Sequence, residues 1–225
     1  MDGEAGGLLA GTLASILATV RDDAGILLLC ILVPAIAFGA VVPRVLPPFV
    51  RVVDALNDWV GRMVSWVCIA MVLTTLAVVV MRYVFNYGQV FIQESYVWMH
   101  GIVFMVGAGY ALLHDAHVRV DVIYRPASIR YKAWVDLFGV MLLLLPILVI
   151  LAQVATPYVW DSWDRLEVSR EAGGLPGLFL LKSVILVFCV LVLLQGLSLA
   201  ARSYLILLKY QPFVDAATAS ANGEE

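Results

Sequence analysis

Charge is scarce in this chain. Only 14% of its 225 residues are Asp, Glu, Lys or Arg, against about 25% in ordinary soluble domains. So little charge cannot clothe a water-soluble domain of this size. With 63% hydrophobic residues and a mean hydropathy of +0.96, the composition is that of an integral membrane protein. The charge present is not basic in balance, since the formal net charge is -3, and a chain without a basic surface has nothing to neutralise phosphates, which excludes nucleic acid as a partner. Cysteine is equally sparse. Cys30, Cys68 and Cys189 fall in separate apolar runs with no CxxC pair, which excludes a zinc site or a disulfide framework. There is no HExxH pair and no Walker-type glycine loop, so neither metalloprotease chemistry nor ATP hydrolysis by that route is suggested. No Lys or Arg precedes Arg21, so the N-terminus lacks the positive region of a secretory signal and is expected to be inserted rather than cleaved. Acids are missing from the middles of the apolar runs. Glu94, Asp115, Asp121 and Asp136 lie at or near predicted helix ends, so no span carries the buried carboxylate expected of a self-sufficient pump.

Apolar runs, by contrast, are long. Residues 6–20 fall short of the ~20 needed to cross a bilayer, whereas 24–42 are uncharged and about one membrane thickness, with a kink expected at Pro34. Pro43, Pro47 and Pro48 end that helix. Over 49–60, Phe49, Val52, Val53, Leu56, Trp59 and Val60 share one helical face and Arg51, Asp54 and Asn57 the other, the pattern of an amphipathic arm lying on a membrane surface. Four spans follow, at about 59–81, 95–113, 134–154 and 178–201, with Ser128 as a cap before the third and Pro146 inside it. The small, acidic tail 211–225 reads as disordered. The expected fold is an all-α integral membrane protein: a four-helix transmembrane bundle preceded by an amphipathic arm helix and an extra N-terminal transmembrane helix. Its divisions are 1–46, 47–210 and 211–225. Lys and Arg concentrate in 43–62, 114–133 and 202–225, so these segments are expected in the cytoplasm, with the C-terminus inside and the N-terminus outside.

Polar residues that could carry meaning gather at the two ends of the stretch 82–121. Arg82 and Glu94 flank the connection NYGQVFIQ and are placed to pair across a hairpin. Gly107, Ala108 and Gly109 offer a small-residue face for close helix packing. His100 and His114 return to nearly the same face of one helix, as in haem-binding membrane anchors of oxidoreductases. That reading lacks partner histidines on another helix, His117 being the sole further one.

These residues resemble the small membrane subunit, DctQ-type, of the tripartite ATP-independent periplasmic (TRAP) transporters. The similarity runs from about Phe49 to Leu208. It rests on Arg82-Tyr83-Val84-Phe85-Asn86, on Glu94, on Gly107-Ala108-Gly109-Tyr110-Ala111-Leu112 and on His117-Val118-Arg119-Val120-Asp121. Ser162-Trp163, Glu167, Ser169 and Gly173-Gly174-Leu175-Pro176 before the last helix are similar to the longer-loop branch of the family. The resemblance implies a non-catalytic bundle without a cofactor of its own. It would scaffold a large membrane subunit that moves a small solute, often an organic acid, on a sodium gradient, with a periplasmic solute-binding protein docking on the outer face and lipid around the bundle. The implied structural or partner-facing residues are Arg82, Asn86, Glu94, Tyr110, His117, Arg119, Asp121, Gly173, Gly174 and Pro176. Residues 1–46 depart from the family pattern, in which the chain begins near the amphipathic arm.

Overall fold

The computed structural model describes residues 45–116 and 127–222. Its elements are α1 (Leu46–Tyr83), α2 (Val90–Val106), α3 (Ala108–Leu113), α4 (Ile129–Gly139), a π-helical turn (Val140–Leu144), α5 (Leu145–Asp164), α6 (Leu178–Leu207) and α7 (Gln211–Asn222). There is no strand among the described residues. Four stretches of them are long and apolar enough to cross a membrane: α1, α2 with α3, α4 with α5, and α6. The N-terminal span expected over 24–42 lies outside the described residues. The end where α1 begins and α6 finishes is the base below; the end with the 84–89 and 165–177 connections is the head.

The arm expected over 49–59 is not a separate helix. It forms the first turns of α1, whose 38 residues run roughly 57 Å at ~1.5 Å per residue, well beyond a hydrocarbon layer of ~30 Å. Pro47 and Pro48 fall in the first turn, where a missing N–H costs nothing, and no proline beyond them interrupts the helix. The facing differs as well. Leu46, Val50, Val53, Asn57, Gly61 and Val64 are buried, whereas Val52, Leu56 and Trp59 are exposed. Apolar side chains lose nothing by facing lipid, while Asp54 and Asn57 gain hydrogen bonds by turning toward polar groups on α6, so the rule that holds at a water surface is reversed here.

α6 is the axis of the bundle. The other spans all pack on it, while α4 and α5 make little contact with α1 or α2. Its base half is lined by small and polar residues, Gln195, Gly196, Ser198, Ala200, Ala201 and Ser203, all buried, which let neighbouring helices approach closely. Leu46 and Val50 pack there with Ala201 and Leu205. On the other flank Val140 and Leu145 pack with Ala200. The π-helical turn has a local cause. Pro146 brings a ring and no N–H into the helix, and widening the turn before it, with the Leu145 N–H donating to the Val140 carbonyl, relieves the clash. Beyond α6, Gln211–Asn222 is helical where the composition suggested a disordered tail. Phe213 is the reason, since it packs on the Leu46, Val50, Ala201 and Leu205 cluster and gives the segment an apolar anchor.

Candidate functional site

Two polar belts hold the helices, one at each end. At the base, Asp54 on α1 takes hydrogen bonds from three residues of α6: Gln195 Nε2 at 3.0 Å, Ser198 Oγ at 2.8 Å and an Arg202 guanidinium nitrogen at 2.6 Å. One turn further along, Asn57 Nδ2 donates to Gln195 Oε1 at 2.9 Å and to the Val53 carbonyl at 3.3 Å. Asp54, Asn57, Gln195, Ser198 and Arg202 thus form one chain of donors and acceptors between two apolar helices. Asn57, Gln195 and Ser198 are almost wholly removed from solvent. Asn57 Oδ1 and Arg202 Nε are left without partners, so the network is not fully satisfied.

Beside this belt the α1–α3 contact is close. Tyr110 lies directly over Gly61, and a methyl group on Gly109 would run into the Asn57 side chain, with Leu191 Cβ 3.4 Å away. The Tyr110 ring also meets His114, with centroids 4.3 Å apart. His114 Nε2 lies 3.4 Å from Asp58 Oδ1, and Asp58 also pairs with Arg62 at 2.7 Å.

At the head, Glu94 near the start of α2 fastens the connection before α6. It accepts from Ser169 Oγ and from the Leu175 backbone N–H, the latter at 2.6 Å. Gly174 lies so near that a Cβ there would be 2.5 Å from Ser169 Oγ and 2.7 Å from Glu94 Oε2. The backbone at Gly173 has a φ of +79°, which a side-chain-bearing residue rarely adopts. A second cluster joins the end of α5 to α6. Glu167 accepts from Ser162 Oγ at 2.7 Å and from Lys182, whose ammonium also sits 4.0 Å from the Tyr158 ring centroid. Trp163 Nε1 donates to Ser183 at 2.8 Å, and its ring meets Phe179 edge-on.

Several residues singled out from the sequence meet here, though not as paired there. The proposed ion pair between Arg82 and Glu94 is not formed. Arg82 is exposed, and Glu94 is taken up by a hydroxyl and a backbone amide donor of the 169–175 loop. Asn86 turns the 84–89 connection with a φ of 54°, a conformation Asn tolerates better than most residues, and the next N–H, of Tyr87, reaches the Met81 carbonyl at 3.0 Å. Pro176 follows the Leu175 amide that Glu94 holds. His117, Arg119 and Asp121 lie outside the described residues. His100 and His114 do not form one haem-like site: His114 is engaged with Asp58 and Tyr110 at the base, whereas His100 opens on a groove with Met71, Val72 and Thr75 of α1. Sequence reasoning missed Gly61, Gln195 and Ser198. A polar triplet of Gln195, Ser198 and Arg202 at helical spacing in an otherwise apolar run was the available signal.

The head cluster sets a pH dependence. Hydrogen bonds from Lys182 and Ser162 hold the Glu167 carboxyl below its ordinary value of 4.5. The stabilisation is therefore complete above that value and is lost as pH falls through the lowered one. Hydrogen exchange of residues 165–177, each rate taken relative to the intrinsic amide rate at the same pH, should accelerate on acidification below the ordinary carboxylate range in the wild type. In Glu167→Gln it should already be faster at neutral pH and show a smaller acid step. Identical pH profiles for the two proteins would refute this assignment.

A family model described as "Tripartite ATP-independent periplasmic transporters, DctQ component" matches residues 71–205, which takes in the head belt and the Gln195, Ser198 and Arg202 part of the base belt. Searches of curated proteins and of solved structures gave no match. This chain, helical and with four candidate spans among its described residues, belongs to the DctQ family of TRAP transporter components.

Proposed function

We propose that this chain is the small subunit that scaffolds the large membrane subunit of a TRAP transporter, in uptake of a small organic-acid solute driven by a sodium gradient. The observation that carries the reading is where the polar side chains go. Asp54, Asn57, Gln195, Ser198 and Arg202 at the base, and Glu94, Glu167 and Lys182 at the head, are spent on contacts between this chain's own elements. Such belts fix helix positions, while the flanks between them are apolar and exposed, including Val72, Leu76 and Val79 on α1 and Phe104 on α2. A rigid frame with apolar sides suits a partner that does the moving. In this reading the chain sits in the bacterial inner membrane with its base and C-terminus in the cytoplasm, and the head loops face the periplasm, where a solute-binding protein would dock. It has no cofactor of its own, and sodium acts through the large subunit.

The test is reconstitution. Vesicles containing this chain, the large subunit and the solute-binding protein should take up solute under an inward sodium gradient, and leaving out this chain should abolish uptake. Full uptake without it, or uptake by this chain alone, would overturn the proposal.

A further inference from the structure

His100 is a polar group that the two belts leave out. It lies on α2 six residues beyond Glu94, roughly 9 Å further along the helix axis at ~1.5 Å per residue, and so within the membrane-crossing part of α2. Its side chain is exposed. Several other polar side chains along the spans are occupied inside the chain. Ser65, Thr74, Thr75 and Thr156 each donate to the carbonyl four residues back, and Gln195 and Ser198 bond Asp54. The His100 imidazole makes no hydrogen bond to a described residue; Thr75 lines the same groove, and its hydroxyl hydrogen is given to the Met71 carbonyl at 2.8 Å. Lipid tails offer an imidazole nothing in exchange for water, and polar groups at this depth normally face protein.

The surroundings have the form of a seat. His100, Tyr96 and Val97 of α2 and Met71, Val72 and Thr75 of α1 line an open groove of about 400 Å³, and the α2 face continues beyond it in the exposed Phe104. Apart from the imidazole and two hydroxyl groups the lining is apolar, as befits a helix-packing surface in lipid. We propose that this groove between α1 and α2 receives a transmembrane helix of the large subunit, and that a polar side chain of that helix hydrogen-bonds to His100. The inference rests on the scaffold reading above and deepens it, because it assigns the docking flank and the residue that fixes the register there.

The experiment uses the full membrane complex. Benzoylphenylalanine placed at Val72 or at Val97 should photocrosslink to the large subunit, and the same probe at Val154, exposed on α5, should not. His100→Ala should lower the yield of co-purified large subunit about three- to tenfold, the value of one interhelical hydrogen bond, and His100→Gln should restore much of it. Since His100 bonds to none of the described residues of its own chain, both variants should keep the wild-type helical circular dichroism and elution volume. If the wild-type chain brings down no large subunit, the scaffold reading fails together with this one. If it does, but crosslinks form only from Val154, join two copies of this chain, or reach lipid alone, the groove assignment alone is wrong. Equal yields from wild type and His100→Ala would likewise overturn the role of the imidazole.

Discussion

Alanine at position 61 should cost this protein about 3 kcal/mol of stability, the upper range for overpacking a tight interior. Gly61 is buried on α1, and a Cβ there would lie 2.7 Å from Tyr110 Cβ and closer still to the first ring carbons. Those atoms stand at the root of the side chain, so rotating the ring cannot clear them. Tyr110 is not free to shift on its own either, because its ring packs on His114 and His114 is tied to Asp58 on the same helix as Gly61. The added methyl must therefore push α3 away from α1 as a unit, and the adjoining approach of Gly109 to Asn57 opens with it. Unfolding in dodecyl maltoside micelles with rising dodecyl sulfate, followed by circular dichroism, reads the loss. Tyr110→Ala alone should also destabilise, by leaving a cavity costing about 3 kcal/mol. Gly61→Ala with Tyr110→Ala should lose much less than the two losses added, since each change removes the other's defect. Strict additivity, or a neutral Gly61→Ala, would mean that the contact is not close.

How much of this could be read in the sequence depended on the length scale of the signal. The four spans were legible because twenty or so uncharged residues leave a backbone in lipid little choice but helix. Their ends were less so. The sequence reading begins the first of the four at residue 59, because the polar face of Arg51, Asp54 and Asn57 suggests a surface arm, whereas α1 runs from Leu46 without interruption. A charge marks an interface only when it faces water, and Asp54 faces α6. The Gly107-Ala108-Gly109 face was recognised as a packing surface, but its counterparts, Gly61 and Asn57, come from a helix whose rotation the arm reading had set the wrong way. Glu94 was marked as significant, and it is. Its partners were out of reach, because Ser169 and the Leu175 amide are about eighty residues away in sequence and nothing in local spacing connects them. The assignment of Arg82 as its partner followed from proximity along the chain, and in a hairpin proximity alone does not decide which donor wins. A backbone amide and a hydroxyl held by a turn offer fixed geometry, while an exposed arginine must give up side-chain freedom to pair.

The base belt should prove the other large determinant of stability, and Asp54→Ala is the variant that exposes it. The substitution removes the acceptor shared by Gln195, Ser198 and Arg202, leaving an amide and a hydroxyl buried and a guanidinium without its counter-ion. Breaking a fully buried pair costs about 3–5 kcal/mol. The Arg202 side chain is 37% exposed and Asp54 20%, so water recovers part of that, and about 2–4 kcal/mol is expected. Asp54→Asn keeps an oxygen for Ser198 or Gln195 and loses the ion pair, so its cost should fall roughly midway. Replacing Asp54 by leucine together with Arg202→Met tests what kind of stability the belt supplies. If the ion pair only offsets its own desolvation, the apolar pair should be less damaging than Asp54→Ala, because no charge is left stranded. The amide bridge from Asn57 to Gln195 would remain to hold the register of α1 against α6. A loss below about 0.5 kcal/mol for Asp54→Ala would place the pair with ordinary surface ion pairs and remove the belt as a clamp. A loss in the apolar double variant as large as in Asp54→Ala would show instead that the contacts of Ser198 and Gln195 to the carboxylate, rather than the ion pair, hold α1 on the axis helix.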